Sequence, residues 1–435
     1  MAKPEVPESL PGALDPRLPL RSVLVGGAAG LVGGSYRLLL DQIHGWDLRL
    51  LAASERILLG WLAVAGLFAA AAGLARWLTL SGAPEAAGSG IPQVEEALAG
   101  DARLPRWHRL LPIKFVAGGL ALSGGLSLGR EGPTVHLGAA VASGLQRGLG
   151  RAARGAILAA GAGAGLTAAF SAPISGFVFV LEELRVAPSR PMVVTALPAV
   201  LVSYLVTTAF LGRQPLFPLP SVPTPSVALL PVFVGLGLAA GVVGVVFNRG
   251  LLWTLDAFDA LPLRPSWLSA AAVGIAAAAV GIWLPAALGS GEHTTAAIIQ
   301  DRLPLALGGL VMLLGTKLAL TLASYGCGVP GGIFAPQLVL GATLGGMAHA
   351  LAPHLGGGML LPVLATAGMA GVFAASIRAP LTGLVLVVEL THQGHFLLAQ
   401  ATAALAAYLL AAALRDPPVY HALRERDARR AVSAD

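Results

Sequence analysis

The chain has 435 residues, of which only 11% are charged, 28 Lys and Arg against 22 Asp and Glu, where a soluble domain carries about 25%. With 56% hydrophobic residues and a mean hydropathy of +0.77, the polar side chains cannot clothe a water-soluble globule of this size, which excludes an ordinary cytosolic protein. The net charge of +6 sits in short basic runs between apolar segments, the pattern of positive-inside loops, so it calls for no nucleic acid.

Residues 1–19 form an N-terminal tail. The first twenty residues hold five prolines and no apolar core, so no cleavable signal peptide is expected and the first span inserts uncleaved. Apolar segments follow at 20–40, 57–80, 110–128, 157–184, 192–211, 227–253, 267–288, 305–323, 334–351, 360–375, 381–390 and 396–414. Gly and Ala recur closely within them, as in helices that pack in lipid, and the expected fold class is an all-α polytopic membrane protein. About 20 apolar residues cross a bilayer. Pieces such as 134–145 and 381–390 are shorter and directly follow a proline. Broken helices of this kind line a cavity, because irregular backbone facing lipid would be left without hydrogen bonds.

Residues 215–226 hold five prolines and read as a linker. On either side the sequence repeats itself at an offset of 201 to 207 residues, with 20–214 as the first transmembrane repeat and 227–414 as the second. Gly88-Ser89-Gly90 recurs as Gly289-Ser290-Gly291, and Lys114 as Lys317. GREGP at 129–133 aligns with GIFAP at 332–336, and APISGFVFVLEE from Ala172 with APLTGLVLVVE from Ala379. Two such halves, each with Gly/Pro-interrupted segments, point to a secondary-transporter architecture with its ion site near the midplane at the repeat interface, and an inverted repeat is expected. Residues 415–435 form a C-terminal segment with Tyr420 and a basic tail of Arg415, Arg424, Arg426, Arg429 and Arg430. Lys3, Arg17 and Arg21 lie near the other end, so both termini are expected in the cytoplasm.

GSGIP at 88–92, GREGP and GIFAP each place a glycine-led turn at the start of an apolar helix. A helix start presents free N–H groups and positive dipole, and three converging at midplane make an anion site. A cation-coupled carrier of unrelated fold would need carbonyl or carboxylate ligands instead. Neutral hydroxyls and amides suit an anion that must also leave. No cofactor or metal site is indicated: the single Cys327 reads as apolar filler, and His136 has no second histidine at i+4 and reads as a pore-flanking polar residue. His293, His349, His354, His392 and His395 sit at segment ends and read as interfacial. GAGAGL at 161 and Gly315-Thr316-Lys317-Leu318 fall short of nucleotide-binding fingerprints, and no HExxH or nucleophile elbow supports an enzyme.

GSGIP at 88, GREGP at 129, GGIFAP at 331 and Tyr420, flanked by KFVAGG from Lys114, FSAPISGFVFVLEEL from Phe170 and ASIRAPLTG from Ala375, resemble the anion-site segments of the CLC family of chloride channels and chloride/proton antiporters, in the family's order. The resemblance runs from about residue 20 to 420. It implies the CLC fold, with two inverted repeats and broken helices around a midplane anion site. Ser89 and Tyr420 would donate hydroxyl hydrogen bonds to a central chloride, and the backbone N–H groups of Ile333 and Phe334 would complete the site, with Gly90 and Gly132 flanking it. Arg130 would act at the outer approach. Glu131 matches the family's gating glutamate, whose carboxylate competes with the anion and leaves when protonated. A carboxylate is costly inside a membrane, and aimed at helix starts it stands in for an anion.

Glu182 and Glu183 close one apolar helix and stand some 100° apart on it. Glu183 falls on the internal proton glutamate of the antiporters, whereas Glu182 is the repeat mate of Glu389, a structural position. The resemblance places Lys114 as a buried field source, with snorkelling to an interface the alternative for it and Lys317. The function implied is secondary active Cl−/H+ exchange in the cell inner (plasma) membrane, by a lipid-embedded homodimer with one pathway per subunit. The alternative is a passive chloride channel of the same family, and Glu183 favours the antiporter. Ser89 favours chloride over nitrate, and the fluoride exchangers depart at the Ser and Tyr motifs. With 15 residues after Tyr420, the cytoplasmic nucleotide-binding modules of many relatives are not expected.

Overall fold

In the computed structural model, residues 15–54, 58–219, 222–262, 266–303, 305–351 and 360–434 are described; the N-terminal tail to residue 14 with Lys3, the linker positions 220–221, and His354 lie outside them. Eight helices form the first half: α1 (Leu18–Ser54), α2 (Leu58–Gly82), α3 (Ile91–Ala99), α4 (Trp107–Ser123), α5 (Glu131–Gly144), α6 (Arg151–Phe170), α7 (Pro173–Glu182) and α8 (Arg190–Leu211). Eight more form the second: α9 (Leu230–Ala260), α10 (Trp267–Trp283), α11 (Glu292–Ile299), α12 (Leu307–Gly326), α13 (Phe334–Leu351), α14 (Leu361–Ser376), α15 (Pro380–Thr391) and α16 (Leu397–Ala413). Helix α17 (Val419–Ala434) follows. Seven of the described helices are long and apolar enough to cross a membrane; α3, α7, α11 and α15 are the short pieces expected of a broken-helix fold.

The two halves run in opposite directions, and hydrogen bonds between α7 and α15 show it. At the C-terminal end of α7, the Glu182 carboxylate accepts from the first turn of α15, from Leu381 N at 3.0 Å, Thr382 N at 2.6 Å and Thr382 Oγ1 at 2.8 Å. At the C-terminal end of α15, the Glu389 carboxylate accepts from the first turn of α7, from Ile174 N at 3.0 Å, Ser175 N at 2.7 Å and Ser175 Oγ at 2.5 Å. Each helix caps the other's orphan N–H groups, which requires the mates to lie antiparallel. Gly129 and Gly332, also mates, pair through an antiparallel bridge with both N–H···O distances at 2.7 Å. Repeat mates that meet head to tail are an inverted repeat.

Burial separates an inner bundle from a lipid-facing shell. Helix α14 is buried along its whole length, α5 from Glu131 to Ala142, α6 from Ala156 to Phe170 and α13 from Phe334 to Gly346. Close approach inside the bundle depends on glycine: a Cβ on Gly138 would collide with the Gly161 carbonyl, and one on its mate Gly341 with the Gly368 carbonyl. The shell helices turn large apolar side chains outward, Leu59 at 74% and Trp283 at 82% exposure, a surface that hydrocarbon suits and water does not.

Lys114 and Lys317 do not snorkel; both are fully buried. Lys114 Nζ donates to Ala86 O at 2.9 Å and Gly88 O at 2.7 Å. Lys317 Nζ donates to the equivalent Ala287 O at 3.1 Å and Gly289 O at 2.7 Å. Each ammonium thus holds the turn that enters α3 or α11, where the carbonyls cannot reach water. The linker also packs down: Phe217 is buried and its N–H donates to Leu390 O at 2.9 Å. Beyond it, α17 is tied to α9 by Arg426, which pairs with Asp256 Oδ1 at 2.8 Å and with Asp259.

Candidate functional site

Three helix starts are sewn together by backbone bonds between the turns that precede them. Gly88 N donates to Val329 O at 3.1 Å and Gly331 N returns a bond to Gly88 O at 3.0 Å, joining the entry of α3 to that of α13. The Gly129–Gly332 bridge joins the entries of α5 and α13. Gly90 adopts a left-handed φ of 92° immediately before α3, a conformation that favours glycine. A Cβ on Gly132 would strike Ser89, so glycine is what lets the starts of α3 and α5 touch. Free N–H groups of all three first turns therefore gather in one buried place.

The expected site residues are assembled around this point. Ser89 is fully buried, its Oγ accepting from Ile91 N at 3.2 Å and its N–H donating to Tyr325 Oη at 3.4 Å. Tyr420, in the first turn of α17, is fully buried, and its Oη has no hydrogen-bond partner among the described residues. Its ring lies 5.8 Å from that of Phe334, which in turn meets Phe373 at 4.9 Å and Phe179 at 6.2 Å. Ile333 and Phe334 are both buried at the entry of α13. Glu131 is buried at the start of α5 with Oε2 accepting from Ala335 N at 3.4 Å, so its carboxylate occupies the positive end of α13. The His136 ring packs against Gly90 and is fully buried.

Glu183 caps the C-terminal end of α7, where its N–H donates to Phe179 O at 3.0 Å. It lines a cavity of about 410 Å³ together with Glu95, Arg185, His421 and Arg424. Glu182, next to it, faces α15 instead, as the angle between them requires. Contacting rings lead from the Glu183 turn, through Phe179 and Phe334, to the residue beside Ala335. Neither ring of the Phe179–Phe334 pair is titratable. Tyr420 lies within electrostatic reach of both carboxylates.

Arg130 is buried with both terminal nitrogens engaged by acids, Nη1 2.8 Å from Asp41 Oδ1 and Nη2 2.6 Å from Glu292 Oε2. Five participants had not been singled out in the sequence, Asp41 among them. The Ala335 amide lies within GIFAP but was not read as a donor, and Tyr325 carries no motif of its own. Glu95 follows GSGIP by one helical turn, a spacing that aims it along α3. Glu292 could have been found from the repeat, where it replaces Ile91 as the first residue of its helix. No cluster of three or more His, Cys, Asp or Glu that could hold a metal occurs among the described residues.

A sequence profile for the voltage gated chloride channel family matches residues 69–412. The chain belongs to this family, the CLC proteins. This CLC chain is 36% identical over 423 residues to the H(+)/Cl(-) exchange transporter ClcA of Vibrio vulnificus (strain YJ016), covering 93% of this chain and 88% of that one. Its fold is similar to that of a slow cyanobacterial Cl−/H+ antiporter solved by X-ray crystallography, with a TM-score of 0.88, 30% identity, and coverage of 95% and 99%. It is also similar to a CLC-type fluoride/proton antiporter, with a TM-score of 0.74, 22% identity, and coverage of 93% and 96%, a likeness of fold alone.

Proposed function

We propose that this CLC protein is a secondary active antiporter that exchanges chloride for protons. The observation that carries the reading is the pair of buried carboxylates at the two ends of one aromatic contact: Glu131 at the gathered helix starts, and Glu183 beside an open cavity. A dehydrated chloride would take hydroxyl hydrogen bonds from Ser89 and Tyr420 and N–H groups from Ile333 and Phe334, with Gly90 and Gly132 allowing the backbones to close around it. Glu131, seated where an anion is favoured, gives up that place when protonated. Glu183 receives protons from the cavity and passes them toward Glu131 over water. Because Glu131 serves both paths, the two fluxes are coupled. The names of the relatives, exchangers and antiporters, support this over a passive channel.

The same reading places the protein in the cell inner membrane with both termini and the Glu183 cavity on the cytoplasmic side, from the basic tail. It also makes it a homodimer with one pathway per subunit, by resemblance to the family and with the exposed leucines of α8 and α16, such as Leu201 and Leu405, available for contact. The deciding experiment follows proton movement in sealed proteoliposomes under a chloride gradient, with the potential set by potassium and valinomycin. Uphill proton movement in the native protein, lost in Glu183→Gln and in Glu131→Gln while chloride flux persists, is the expected result. Chloride flux with no coupled protons in the native protein would make it a channel.

A further inference from the structure

Arg130 and Glu131 are consecutive, buried and oppositely charged. A buried ion without a partner is costly, so a guanidinium in this place is drawn to the nearest carboxylate. Here the two do not meet: Glu131 Oε2 turns to the Ala335 amide at 3.4 Å, while Arg130 is held by acids from two other elements. Asp41 of α1 accepts from Nη1 at 2.8 Å, and Glu292, the first residue of α11, lies 2.6 Å from Nη2. The Glu292 position is occupied by apolar Ile91 in the other repeat, so the acid is a departure from the internal symmetry, made on the side where Arg130 stands.

We infer that Asp41 and Glu292 are positioning residues that hold the Arg130 guanidinium away from the Glu131 carboxylate, leaving that carboxylate to exchange with chloride and protons. This rests on the gating role proposed for Glu131. Were Arg130 released, it would pair with Glu131, favour the charged form, and keep the carboxylate in place when chloride arrives. The other charged and titratable groups nearby are few. Glu292 and Arg130 themselves act on Glu131 through space, Tyr36 of α1 and Tyr420 of α17 lie within electrostatic reach of it, and Arg37 of α1 lies within reach of Arg130. Arg37 donates to Ser171 Oγ at 3.0 Å, and His293 adjoins Glu292 on α11.

The test is the pH profile of chloride efflux from proteoliposomes in a double-substitution cycle. Glu131→Gln serves as the reference and should abolish pH dependence; if dependence survives there, the gating reading fails, independently of the clamp. Glu292→Gln should move the half-maximal point to lower pH by about one unit, a tenfold change in proton affinity. In an Arg130→Met background the same substitution should move it clearly less, because only the direct repulsion between Glu292 and Glu131 remains to be lost. Equal shifts in both backgrounds, or no shift in either, would overturn the inference. Should Glu292→Gln fail to fold, Asp41→Asn runs the same cycle with the same criteria, since the Asp41 side chain is 44% exposed and tolerant of change.

Discussion

The reciprocal capping of α7 and α15 makes a demanding prediction, because two substitutions at sites 207 residues apart, Glu182→Gln and Glu389→Gln, must behave alike. Each glutamate accepts two backbone N–H groups and one hydroxyl at 2.5 to 3.0 Å. A glutamine amide can present one oxygen to one of those N–H groups, and its NH2 then faces the remaining donors. Hydrogen bonds to a charged group are each worth about 1.5–3 kcal/mol, and the hydroxyl can rotate to a new partner, so the loss should be about 2–3 kcal/mol per substitution. Unfolding by SDS titration in mixed micelles, followed by fluorescence of the seven tryptophans, reads this directly. The two variants should agree within about 0.5 kcal/mol, and together should lose less than the sum, since both act on one helix pair. A control is at hand in Glu183→Gln, which removes a neighbouring carboxylate that takes no part in the α7–α15 capping, keeps the backbone cap of α7, and should leave the midpoint nearly unmoved. One variant at native stability beside a weakened mate would refute the symmetric arrangement.

Lys317→Met should leave two buried carbonyls, Ala287 O and Gly289 O, without their donor and lose about 2–4 kcal/mol in the same titration, and Lys114→Met should lose less, about 1–3 kcal/mol, because Gly88 O keeps the Gly331 N–H. Only Lys114→Met should also weaken chloride binding measured by calorimetry, because Gly88 O, which it holds, adjoins Ser89. Tyr420→Phe keeps the ring against Phe334 and should fold normally, while loss of one neutral donor should reduce chloride affinity by about threefold to tenfold. Unchanged affinity would remove Tyr420 from the anion site.

Most of the site was readable because it is built from glycine-led helix starts, and Gly and Pro announce such turns locally. Ser89, Glu131, Ile333 and Tyr420 lie in or beside short motifs, and the internal repeat placed two of the three helix starts in register. What could not be read depends on contacts across the chain. Asp41 stands 89 residues before Arg130 and 251 before Glu292, so it carries no local signal, and Glu292 shows only as a break in the repeat. Burial of Lys317 was equally hidden, and that of Lys114 came from the resemblance alone, since a lysine in an apolar helix can reach an interface or a carbonyl, and only packing decides. The direction of the repeats could not be counted from segments too short to cross a bilayer. It becomes plain once Glu182 and Glu389 are seen to serve each other's helix.

The stitching of mates from opposite halves also governs biosynthesis. Glu131 is synthesised 289 residues before Tyr420, an interval of roughly 15–60 s at about 5–20 residues per second. During that time the first half resides in the membrane with its carboxylate and two of the three helix starts uncovered, and α7 lacks the glutamate that caps it. A nascent chain stopped before residue 335 cannot offer Glu131 the Ala335 amide, and the Tyr420 ring joins the gathered helix starts only once α17 has been made.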